Sequence, residues 1–72
     1  MKFMQIIWKN GATAIDKIDN SGIHTKLAKA ENEDAVYFML SPENQKSFDN
    51  SELYKIEQFP GCWIWWYKII EE

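Results

Sequence analysis

Few side chains in this chain could do chemistry, and they are poorly grouped for it. There is one His, His24, and one Cys, Cys62. A His/Cys metal cage cannot be assembled from two such residues. His24 has no Ser or Asp at a recognised catalytic spacing and reads as a surface or strand-edge histidine. Cys62 opens an apolar run and reads as a small hydrophobe rather than a nucleophile. The carboxylates are more numerous. Glu31, Glu33 and Asp34 form a tight group, and Glu43, Asp49, Glu52 and Glu57 follow. Paired carboxylates do acid–base work only in a cleft that raises one pKa. A 72-residue chain has little volume for a cleft, so a solvated acidic segment is the simpler reading. Seven acids between residues 31 and 57 also suit a surface that mimics nucleic acid. No phosphate loop, dinucleotide fingerprint or EF-hand occurs, and no cofactor or metal is expected.

The unusual feature is aromatic. Cys62-Trp63-Ile64-Trp65-Trp66-Tyr67-Lys68-Ile69-Ile70 alternates into two faces. One carries Trp63, Trp65, Tyr67 and Ile69. The other carries Cys62, Ile64, Trp66 and Ile70, with Lys68 among them. A surface antiparallel strand should have one polar face. This strand is therefore either covered on both sides or meets a partner on one. Trp and Tyr are enriched in binding hot spots and also stack on single-stranded bases.

All eight cations are Lys, and the net charge is −3. Without the bidentate guanidinium fork, sequence-specific reading of duplex DNA is not expected. Charge is uneven along the chain. Residues 1–30 carry a balance of +3, residues 31–57 of −5, and the last fifteen residues of −1. No secretory signal pattern and no run of eighteen apolar residues is present. A lone thiol suits a reducing compartment, so a cytoplasmic location is expected.

Elements that could position these groups follow from pattern. The composition, 46% hydrophobic and 26% charged, is that of one small globular domain over 1–72. Its core is marginal at this size, and one Cys permits no internal disulfide. Aromatics and self-association remain as sources of stability. Residues 2–9 alternate as a strand, with Met4, Ile6 and Trp8 opposite Phe3, Gln5 and Ile7. Asn10-Gly11 predicts a type I′ hairpin turn, and Ala12–Ile18 a returning strand. Asp19-Asn20-Ser21-Gly22 predicts a turn. Residues 23–30 alternate, while 24–34 also contain good helix formers, so strand and helix both remain open there. Residues 35–40, Ala-Val-Tyr-Phe-Met-Leu, read as a strand. Ser41-Pro42-Glu43 marks the start of a helix over about 42–48. Residues 53–59 and 62–70 form a C-terminal hairpin about Pro60-Gly61, expected as a type II turn.

The fold class is therefore mainly β, α+β at the margin. A small antiparallel sheet of four to six strands is expected, with one short helix. The functional expectation is a non-enzymatic binding protein, an inhibitor or adaptor that occupies a protein partner. Trp63, Trp65 and Tyr67 are its candidate hot spot, and Glu31, Glu33 and Asp34 its charged flank. In size and composition alone, the chain resembles small phage-encoded inhibitors of host enzymes. Two alternatives stand beside this. One is a single-stranded nucleic acid or nucleotide binder, with Lys2, Lys9, Lys26 and Lys29 on phosphates. The other is a structural subunit whose doubly apolar strand makes a homodimer, with Trp65 as a candidate interface residue.

Overall fold

Alternation and turn chemistry place five strands and two helices along the chain. A computed structural model describes residues 1–70; Glu71 and Glu72, counted above in the charge of the last segment, lie outside the described residues. The elements are β1 (Lys2–Trp8), β2 (Thr13–Ile18), β3 (His24–Ala30), α1 (Glu33–Met39), α2 (Pro42–Asp49), β4 (Ser51–Phe59) and β5 (Cys62–Ile69). The strands form one antiparallel sheet in the order β3-β2-β1-β5-β4. The first strand is central and pairs with the aromatic last strand along its length.

Residues 23–30, open between strand and helix, resolve as strand β3. Residues 35–40 do not form the strand that their β-branched and aromatic content predicts. They belong to α1. Asn32 caps this helix, its side chain accepting from the Ala35 amide at 2.8 Å. Glu33 and Asp34 occupy the first turn, at the positive end of the helix dipole. Val36 and Leu40, four residues apart, both point into the core. A cap and a buried i, i+4 pair outweigh strand propensity, which is itself context-dependent. The second helix forms where expected, with Ser41 as N-cap and Pro42 in the first turn.

The turns also differ in type. Gly11 has φ +92, but among the described residues no non-glycine, Asn10 included, has positive φ, so Asn10-Gly11 is not a type I′ pair. Instead the Gly11 amide donates to the Trp8 carbonyl and the Trp8 amide to the Ala12 carbonyl. This is a four-residue turn closed by a glycine bulge, a common three-residue hairpin loop. The β2–β3 turn repeats it at Gly22, φ +84, with the same two bonds about Asp19 and Ile23. At Pro60-Gly61 the glycine is not in the positive-φ region, so the hairpin closes without the expected type II turn.

One face of the sheet carries the core. Phe3, Ile15 and Ala28 project from β1, β2 and β3, and Val36 and Leu40 of α1 pack onto them. Each large member contributes about 1.5–3 kcal/mol by burial. Helix α2 has no buried residue and docks through Phe48. The Phe48 ring lies 5.4 Å from Phe3, 4.8 Å from Tyr67 and 6.4 Å from Tyr37. The helices are tied to each other by the Tyr37 hydroxyl, which donates to the Asp49 carboxylate.

Phe48 is therefore the pin of α2. Phe48→Ala should destabilise the chain by about 2–3 kcal/mol, somewhat below the loss for a fully buried phenylalanine. Urea denaturation would read this as a lowered midpoint, and an unchanged midpoint would contradict the packing described.

Candidate functional site

Cross-strand register decides what each face of β5 meets. On the helix-bearing face, Tyr67 stands beside Phe3 and Leu53, Trp65 beside Gln5 and Ile56, and Trp63 beside Ile7 and Gln58. Helix α1 packs over β2 and β3, and Phe48 covers Tyr67. The β5–β4 end of this face is less covered. Trp63 and Trp65 are only partly buried, and Ile56 and Leu53 are exposed. The result is an aromatic shelf beside the N-terminus of α1.

A chain of hydrogen bonds joins this shelf to the helix. Gln5 is a polar residue at 3% exposure among apolar neighbours. Its carbonyl oxygen accepts from the Tyr67 hydroxyl at 2.9 Å. Its amide nitrogen donates to Thr13 Oγ1 at 3.4 Å and to a Glu33 carboxylate oxygen at 3.3 Å. Thr13, fully buried, donates its own hydroxyl hydrogen bond to the Ile6 carbonyl at 2.9 Å. Every polar atom of the amide is used, so its orientation is determined by its partners. The cluster holds the Tyr67 phenol neutral. Burial, and then the negative charge of Glu33, push its pKa up to about 12. The Tyr37 phenol is also raised, first by its hydrogen bond to Asp49.

Of the candidate residues, the structure thus brings together Trp63, Trp65, Tyr67 and Glu33. Glu31 and Asp34 are exposed at the entry to α1. Gln5 and Thr13 were not singled out as site residues. The signal for Gln5 was a lone amide on the Phe3/Ile7 side of an apolar strand.

The opposite face of the sheet carries no helix among the described residues. Register places three rows across it. The first is Lys29, Ala14, Ile6, Ile64 and Glu57; the second is Lys26, Asp16, Met4, Trp66 and Lys55; the third is His24, Ile18, Lys2, Lys68 and Glu52. Its centre is apolar and its margins are charged. Trp66 Nε1 donates to Glu57 at 2.7 Å, and the Lys29 ammonium sits 5.1 Å from the Trp8 ring centre. His24 lies on the edge strand, 3.8 Å from Asp16. Cys62 is partly buried beside Trp8 and Phe59. Charge on the open face is mixed: Lys2, Lys26, Lys29, Lys55 and Lys68 share it with Asp16, Glu52 and Glu57.

Clefts are peripheral. One of about 520 Å3 opens beside Lys2, Asn20, Glu52 and Lys68, at the far end of β5 from Trp63. Among the described residues, no three His, Cys, Asp or Glu side chains gather as a metal site.

Tyr67→Phe should leave the Gln5 carbonyl unpaired and cost about 1–3 kcal/mol. The pH dependence has a definite sign. The folded-state pKa is raised above the ordinary value of 10.0, so the stabilisation is complete below pH 10 and is lost as pH rises towards 12. A tyrosinate absorbance titration should show an inflection near pH 12 that vanishes in Tyr67→Phe. An inflection unchanged by that substitution would contradict the assignment. No protein-family model, curated protein or solved structure matches the chain.

Proposed function

We propose that the chain is a non-enzymatic binding protein, an inhibitor or adaptor that occupies a protein partner through the β5 shelf. The observation that supports this is the partial burial of Trp63 and Trp65 on a rigid sheet, next to exposed Ile56 and Leu53. Partly exposed indoles in fixed positions suit the anchors of a hot spot, since little side-chain freedom is lost on binding. Glu33 stands at the shelf through Gln5, and Glu31 and Asp34 extend the acidic margin at the start of α1. Such a margin sets approach rate and orientation more than affinity, and it favours a partner with a basic rim around an apolar protrusion. The size and composition shared with phage-encoded inhibitors support the inhibitor form of this reading. The single unpaired thiol supports a cytoplasmic setting.

Nucleic acid is the less favoured ligand. Lys2, Lys26 and Lys29 do reach the open face with Trp8 and Trp66. Yet Lys29 already caps the Trp8 ring, the Trp66 indole is engaged by Glu57, and Asp16, Glu52 and Glu57 share the surface.

The test is cross-linking in cells, followed by affinity measurements on the captured partner with wild-type chain, Trp63→Ala and Trp65→Ala. A hot-spot truncation costs about 2 kcal/mol or more, so each variant should bind about 30-fold more weakly or worse. Equal affinity in all three would contradict the shelf as the site. Binding of a single-stranded oligonucleotide that falls steeply with salt would replace the reading with the nucleic acid one.

A further inference from the structure

We propose that the open face of the sheet is an interface between two copies of this chain, related by a two-fold axis parallel to the strands. It is independent of the shelf, which lies on the other face.

Association through the sheet edges is disfavoured by the edges themselves. Both edge strands are bulged. Leu27 is an extra residue in β3, between the partners of Ile15 and Asp16, and Tyr54 is an extra residue in β4, between the partners of Tyr67 and Trp66. Bulges bend an edge and interrupt the regular ladder that another strand would need. The face remains. Its centre is apolar, with Met4, Ile6, Ile64 and Trp66.

Charge selects both the occupant and the symmetry. The β3 margin is cationic, with Lys26 and Lys29 exposed beside His24. The β4 margin carries Glu52 and Glu57, with Lys55 held 3.8 Å from Glu57. A two-fold perpendicular to the strands would stack β3 on β3 and lysine on lysine. A two-fold along the strands stacks β3 on β4 and keeps each row in line. Lys29, moving from its place 5.1 Å from the Trp8 ring centre, then meets Oε2 of Glu57 in the second copy, Oε1 being held by Trp66 and Lys55, and His24 meets Glu52, each pairing occurring twice, as an isologous interface requires. Lys26 meets Lys55, whose charge Glu57 offsets, and Lys2 meets its own copy near the axis, each Lys2 ammonium drawn 5.9 Å from the Tyr54 ring centre of its own chain. The same operation lays β2 over β5, with Asp16 over Trp66 and exposed Lys68, one row on, at a diagonal from Asp16. Asp16 is the residue that needs it: its Oδ1 is buried and has no hydrogen-bond partner, a costly state for a carboxylate.

Area sets the strength. Five strands about 4.8 Å apart and three rows about 6.8 Å apart, two residues of rise each, give a face of roughly 500 Å2 per copy. About 1,000 Å2 in total is the lower limit for a specific interface, so a micromolar dimer is expected rather than an obligate one.

Sedimentation equilibrium from about 1 to 300 μM should show the mass rising from 8.5 kDa towards twice that value. Ile64→Lys should weaken the dimer at least 30-fold, while Ile56→Lys, on the shelf face, should leave it unchanged. Lys29→Glu and Glu57→Lys should each weaken it about 5- to 10-fold, and the double variant should restore it to within about threefold. Circular dichroism should show each variant folded, with the wild-type spectrum. A monomer at every concentration would overturn the proposal and leave the face to another ligand. A dimer broken by Ile56→Lys, or charge reversals without rescue, would also overturn it.

Discussion

Two helices of seven and eight residues cannot cover a five-stranded sheet. Much of the surface follows from that shortage of covering. Helix α1 spends its buried residues, Val36 and Leu40, on the β3-β2-β1 side, and α2 adds one ring, Phe48, over Phe3 and Tyr67. The helices leave β5, beyond Tyr67, with indoles partly open on both faces. Among the described residues no further element closes either surface, and the single Cys forms no internal disulfide to compensate for a small core.

The position of the helices depends on a polar contact inside an apolar layer. Gln5 is buried in the central strand, where an unpaired amide would be expensive. It is satisfied from three elements: Tyr67 on β5, Thr13 on β2 and Glu33 on α1. Apolar packing is non-directional and could let a one-turn helix contact slide. The Gln5 amide is directional, and it connects the N-terminus of α1 to the sheet at one register. It also brings a carboxylate beside the aromatic shelf, which links the internal architecture to the surface proposed for binding.

Much of this was legible from the residues. Alternation in Lys2–Trp8, the Ser41-Pro42 helix start and the paired runs about Pro60-Gly61 each rest on a local rule, and each element formed. Residues 35–40 misled because their composition favours strand, whereas the deciding features are the Asn32 cap and the Val36/Leu40 spacing. The glycine turns misled only in type. The alternation of β5 correctly separated Trp63, Trp65 and Tyr67 from Ile64 and Trp66. Which set would lie under helices was not legible, because it depends on strand order. That order sets the first strand between the second and the last, a long-range pairing with no local signature. The grouping of Glu33 with the aromatics, and the separation of Glu31 and Asp34 from them, likewise required the three-dimensional chain.

Among the described residues, helices cover one face of the sheet only. NMR of the dilute chain with a soluble paramagnetic agent, read at side chains on both faces, tests this. Strong relaxation enhancement is expected at Ile6, Ile64 and the Trp66 indole, and at Trp63 and Trp65. Little is expected at Ile15, Val36 and Leu40, which are at most 4% exposed. Protection of Ile64 and Trp66 equal to that of Ile15, at concentrations where the chain is monomeric, would contradict this one-sided covering and would mean a sheet closed on itself.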